Sequence, residues 1–175
     1  MKAMKSLISS LGVLFLSVTV VAAQSAATLA KADLVDSQGK KVGTAELTKT
    51  PDGVRIALTV SGLAPGQHAF HIHNVGKCES PDFKSAGPHF NPSKKKHGLK
   101  NPEGPHAGDM ENIEIGPDGT GKAEIANKQV TLADGLNSLF HKGGTAIVIH
   151  ASPDDNMTDP AGNAGARIAC GVITK

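Results

Sequence analysis

The chain has 175 residues, a formal net charge of +2, two cysteines, eight histidines, five phenylalanines and neither tryptophan nor tyrosine. So slight a charge gives no electrostatic footprint for nucleic acid. Setting aside an apolar leader still leaves about 150 residues, a usual size for one domain with its own hydrophobic core.

The leader comes first. Lys2 and Lys5 precede an apolar run from Leu7 to Val21, and Val21-Ala22-Ala23 offers small residues for a signal peptidase. This pattern predicts a signal peptide over 1–23 and a mature domain over 24–175, secreted or periplasmic, with no stable membrane association after cleavage. The competing reading is an uncleaved anchor, since the run approaches the roughly 18 apolar residues of a spanning helix. No Cys follows the run, so a lipid-anchored form has no attachment residue. In an oxidising compartment, Cys78 and Cys170 are expected to form one disulfide.

Beyond the leader, short strand-like segments alternate with Gly, Pro and Asp, which predicts an all-β fold. The clearest strand is Val54–Val60, with Val54, Ile56, Leu58 and Val60 on one face, after the turn residues Pro51-Asp52-Gly53. Leu29–Leu34, Lys41–Glu46, His68–His73, Glu111–Ile115, Lys122–Ala126, Thr145–His150 and Arg167–Thr174 are the other expected strands. Asn74–Asp109 and Ala151–Ala166 are too long for hairpin turns, and loops of that length are usually functional. Within the first, Lys94-Lys95-Lys96 reads as a solvated run.

The histidines gather beside these loops. In Phe70-His71-Ile72-His73, residues two apart share a strand face, so Phe70 and Ile72 can enter the core while both imidazoles project from it. His68 should point the other way, as a hydrogen-bonded structural residue. Thr145–His150 repeats the arrangement, with Ile147 and Ile149 inward and His150 outward. The first loop adds His89, His97, His106 and Asp109. His71, His73 and His150 form a nitrogen-only set suited to copper, whereas His97, His106 and Asp109 have the composition of a zinc site lacking one ligand. His89 can complete both sets, because an imidazolate has two nitrogen donors.

Phe70-His71-Ile72-His73, the segment from Gly87 to Pro92, His106-Ala107-Gly108-Asp109 and the segment from Gly162 to Val172 resemble the copper–zinc superoxide dismutases, in matching order, over about Thr28–Lys175. The resemblance implies an eight-stranded Greek-key β-barrel or sandwich with the metals outside it, beneath the two long loops. It implies one copper per subunit on His71, His73, His89 and His150, and one zinc per subunit on His89, His97, His106 and Asp109. Asp154 resembles the carboxylate that joins a copper-ligand His to a zinc-ligand His. Cys78 and Cys170 match the family disulfide. Arg167 and His89 take the catalytic roles, binding superoxide and carrying a proton as it is converted to dioxygen and hydrogen peroxide. A non-catalytic copper-binding module is the rival function, and such modules typically lose a copper ligand or the Arg. A copper chaperone is a candidate partner. The loop His141-Lys142-Gly143-Gly144 lacks the apolar patch of the animal dimers, which leaves monomer and homodimer both open.

Overall fold

The structure, a computed structural model, describes residues 30–175; the leader expected over 1–23 lies outside them. Nine strands form: β1 (Ala30–Asp36), β2 (Lys41–Thr50), β3 (Gly53–Val60), β4 (Gly66–His68), β5 (Phe70–His73), β6 (Ile113–Ile115), β7 (Gly121–Asn127), β8 (Ala146–His150) and β9 (Arg167–Val172). Among the described residues there is no α-helix, only a 3₁₀ turn at Lys84–Ala86. Alternation decides the faces. In β3, Val54, Ile56, Leu58 and Val60 are buried while Arg55 and Thr59 are exposed, as the two-residue period of a half-buried strand requires.

A seven-stranded antiparallel sheet runs β5-β8-β9-β1-β2-β3-β7, and β4 pairs with β6 as a second ribbon. Neighbours distant in sequence, such as β5 with β8 and β3 with β7, give the sheet its Greek-key crossovers. The core between them contains Leu34, Leu47, Ile56, Phe70, Ile72, Ile147 and Ile149.

The strand expected over His68–His73 divides at Ala69, so there are nine strands where eight were expected. His68 pairs with Ile113 in the ribbon, whereas Phe70 pairs with Ile149 in the large sheet. Ala69 bonds sideways instead: its N–H donates to the Ser152 carbonyl and its own carbonyl accepts from His150 N–H, both at 2.9 Å. Other strands are trimmed at their ends. β8 starts at Ala146, with the Thr145 hydroxyl donating to the Leu139 carbonyl at 2.8 Å, and β9 stops at Val172, leaving Thr174 to bridge Lys31 alone.

Both expected loops are present, and the connection from β7 to β8 is a third long one. That segment places Val130 and Leu139 in the core and stacks His141 on Phe90, with ring centroids 5.4 Å apart. Cys78 and Cys170 form the expected disulfide. It ties the first long loop to β9 over a second apolar cluster of Phe83, Ala86, Ala146, Val148 and Cys170.

Candidate metal centre

The period of β5 sends Phe70 and Ile72 into the core and His71 and His73 to the opposite face, where the long loops cover them completely. His150 emerges beside them at the end of β8. The first loop docks against β5 through its backbone: Phe90 N–H donates to the Ile72 carbonyl, Ile72 N–H to the Gly108 carbonyl, and Gly108 N–H to the Phe90 carbonyl, at 2.8–2.9 Å. Gly108 is needed for this approach, since a Cβ there would overlap the Ile72 carbonyl. The docking brings His89 and Asp109, each next to a bonded residue, against the β5 imidazoles.

The nitrogen atoms then sort themselves by their partners. His71 Nε2 donates to Asp154 Oδ2 at 2.8 Å, leaving its buried Nδ1 without a partner. His73 Nδ1 donates to the Gly87 carbonyl at 2.8 Å, which frees Nε2 to face His150 Nε2 at 3.4 Å. His89 Nε2 is likewise buried and unpartnered. Four nitrogens, from His71, His73, His89 and His150, thus converge within 4.8 Å of one another.

On the other side of the His89 ring, three Nδ1 atoms surround Asp109 Oδ1: His89 at 2.9 Å, His97 at 3.1 Å and His106 at 3.3 Å. His106 approaches without hydrogen-bond geometry, and its buried Nδ1 has no bonded partner. Asp109 Oδ2 accepts from the backbone N–H groups of Gly98 and His106, both at 2.9 Å, which fixes the carboxylate. Unpaired buried nitrogen is costly, so the unpartnered His71 Nδ1, His89 Nε2 and His106 Nδ1, with a carboxylate on one side of the His89 ring, fit a cation on each side of that ring.

A third grouping, His71, His97 and Asp154, is of another kind. Asp154 uses one oxygen for His71 Nε2 and the other for His97 Nε2, at 2.8 and 2.9 Å, on the ring edges facing away from both convergent sets. It fixes the orientation of both imidazoles, the place a carboxylate takes behind metal-bound imidazoles.

Electrostatics divide the two halves. Burial disfavours imidazolium at three histidines of the first quartet, lowering His73 well below its ordinary value, His150 to about 3 and His89 to about 4. Neutral imidazole is the form that ligates metal. Burial also opposes protonation of His97, but hydrogen bonds to Asp109 and Asp154 outweigh it and raise the group to about 9. Asp109 and Asp154 are both held below the ordinary carboxylate range, their imidazole contacts overcoming the cost of burial.

Arg167 lies half-buried at the start of β9, its Nη1 donating to the Phe83 carbonyl and its Nη2 to the Gly87 carbonyl, each at 2.7 Å. It lines a cleft of about 690 Å³ together with His73, His89 and His150. Lys94, Lys95 and Lys96 line the same cleft. Sequence reading left them as a solvated run; the usable signal was their position directly before His97. The turn that presents them is closed by Asn91, whose side chain accepts from Lys95 N–H and donates to the Lys95 carbonyl. His68 stays outside the cluster, bonding the carbonyls of His150 and Ala64 at 2.7 and 2.9 Å, in keeping with a structural histidine.

Residues 41–173 match the family model described as copper/zinc superoxide dismutase (SODC). Among curated proteins, the chain is 60% identical over 144 residues to superoxide dismutase [Cu-Zn] 1 of Aquifex aeolicus, covering 81% of this chain and 85% of the relative. It is 47% identical over 138 residues to superoxide dismutase [Cu-Zn] of Caulobacter vibrioides, covering 77% and 79%. Among solved structures, a superoxide dismutase-like protein of Bacillus subtilis superposes with a TM-score of 0.79 at 40% identity, covering 81% of this chain and 96% of that one. The Cu/Zn superoxide dismutase of Brucella abortus gives a TM-score of 0.68 at 27% identity, covering 82% and 98%. The chain belongs to the copper/zinc superoxide dismutase family, whose members use copper and zinc and act on superoxide.

Proposed function

We propose that this chain dismutes superoxide at a centre in which His71, His73, His89 and His150 hold copper and His89, His97, His106 and Asp109 hold zinc. The observation that carries this assignment is the His89 ring, with Nδ1 turned to Asp109 and Nε2 buried among the other three histidines without a partner. The rival non-catalytic reading loses ground because Arg167 and all four histidines of the first quartet are present and face one cleft or one another.

Copper supplies the one-electron couple between the two superoxide reactions, and zinc supplies fixed support for the shared imidazole. Two superoxide anions and two protons yield one dioxygen and one hydrogen peroxide. Arg167 offers a permanently charged planar fork to the anion, and its bonds to Phe83 and Gly87 hold that fork at the cleft. Lys94, Lys95 and Lys96 raise the positive potential at the cleft wall, which increases anion encounter. When free of copper, His89 Nε2 would carry a proton taken from solvent to the superoxide that gains an electron, and water would supply the other. Asp154 keeps His71 and His97 in the tautomers that aim Nδ1 at the two sets.

The proposed setting is export: a signal peptide over 1–23 releases the domain 24–175 into the periplasm or medium, consistent with the Cys78–Cys170 disulfide. A copper chaperone belongs to the same proposal. Native mass spectrometry and a pulse-radiolysis assay test the central claim. One copper and one zinc per chain are expected, and His89→Ala should separate the two sites and abolish most activity. A fully loaded, active protein with one metal per chain would overturn the assignment.

A further inference from the structure

We infer that Asn112 is a positioning residue for this reaction, holding Asp154 in register so that one carboxylate orients a ligand of each proposed metal site. The inference rests on the ligand assignment above.

Asn112 stands at the mouth of β6, one residue before Ile113. Its side-chain amide makes a complementary pair of bonds with the backbone of Asp154: Nδ2 donates to the Asp154 carbonyl at 2.9 Å, and Oδ1 accepts from Asp154 N–H at 2.8 Å. Two bonds in one amide plane fix orientation as well as distance. Asp154 lies in the loop between β8 and β9, so this amide fastens the loop to the ribbon at the residue whose carboxylate spans His71 and His97.

The carboxylate is confined from its other sides. Asn156 N–H donates to Asp154 Oδ1 at 2.6 Å, and the Asn156 side chain also donates to the Asp154 carbonyl at 3.2 Å. Gly162 roofs the bridge at a φ of +60°, where a Cβ would overlap the Asp154 carboxylate and reach His97 Nε2 at 2.8 Å. Within that space the carboxylate position follows the Asp154 backbone, and Asn112 sets the backbone. Loss of the amide lets Asp154 drift, and both His71 Nδ1 and His97 Nδ1 lose their aim while every ligand remains in the chain.

The residue type is specific. Asp at 112 keeps the size and one acceptor but turns the donor toward the Asp154 carbonyl into a repulsive oxygen; Ala removes both bonds.

The test uses full-length protein prepared metal-free, with Asn112→Ala and Asn112→Asp each made alone and on an Asp154→Ala background. Readouts are cobalt(II) affinity and visible spectrum at the His97 side, copper(II) electron paramagnetic resonance at the His71 side, and thermal unfolding of the metal-free form. Outer partners of metal ligands typically contribute about 10–100-fold in affinity. Asn112→Ala should weaken cobalt(II) binding by about tenfold or more and change both spectra, with Asn112→Asp at least as affected. In the Asp154→Ala background the same changes should have little further effect, because Asn112 acts through Asp154. Equal, additive losses in both backgrounds would overturn the inference, as would parental affinity and spectra in the folded variants. His106→Ala serves as the control on the ligand assignment: if that protein binds cobalt(II) with its parental spectrum, the assignment fails instead.

Discussion

Replacing both Cys78 and Cys170 by Ala removes a cross-link between residues 92 apart in sequence. In the chain-entropy account, opening a loop of that length stabilises the unfolded ensemble by about 4.6 kcal/mol at 25 °C. With a urea m-value of about 2 kcal/mol/M, the midpoint should fall by about 2 M. Cys170 adds a local loss, since its sulfur packs among Phe83, Val148 and Ala146 and Ala leaves that cluster underfilled. The loop should loosen as well, because the disulfide and Arg167 are its ties to β9, and Arg167 reaches Phe83 and Gly87 from that strand. Equilibrium urea unfolding of the metal-free proteins isolates the chain term from metal linkage. Chelator competition on loaded protein then reads the second effect, weaker copper retention. A midpoint shift below about 0.5 M would refute the loop-entropy estimate, and unchanged copper retention would refute the link from the disulfide to Gly87.

Arg167→Ala should retain both metals and lose about tenfold or more in the rate with superoxide, with Arg167→Lys between it and the parent; pulse radiolysis with metal analysis checks both. Changing Lys94, Lys95 and Lys96 to Gln should slow the reaction several-fold at low salt and by a much smaller factor at high ionic strength, where exposed charges are screened. A salt-independent deficit would instead mean that the turn carrying His97 had been disturbed. Phe70 is fully buried on the core face of β5, opposite Ile149 of β8, and Phe70→Ala should cost about 3–5 kcal/mol by denaturant unfolding.

What the residues revealed beforehand follows from the range of their interactions. Alternation is local, so β3 and the outward pair His71 and His73 were readable from the chain alone. The break at Ala69 was not, since nothing in the side-chain pattern changes there; it arises because Ala69 bonds Ser152 and His150, both distant in sequence. Glu111–Ile115 shrank to Ile113–Ile115 for a similar reason, with Asn112 engaged by Asp154 across 42 residues. The two clusters that carry the proposed ligands were legible because histidine in such number, gathered beside long loops, has few other uses. The basic cleft wall was missed because charge runs are ordinarily solvated, and only the fold of the turn at Asn91 brings Lys94–Lys96 to the cleft. The β7–β8 connection was passed over because its Val130 and Leu139 pack into the core without forming a strand.

The Gly87 carbonyl accepts at once from Arg167 Nη2 and from His73 Nδ1, at 2.7 and 2.8 Å. One oxygen atom therefore serves both the guanidinium proposed to meet the anion and an imidazole of the proposed copper quartet. Changes at the two places should show epistasis: a mutation that shifts the guanidinium alters the tolerance of the chain for mutations around His73, and the reverse. An engineer seeking to retune anion capture while leaving the redox potential untouched would have to supply Arg167 with a different second acceptor first.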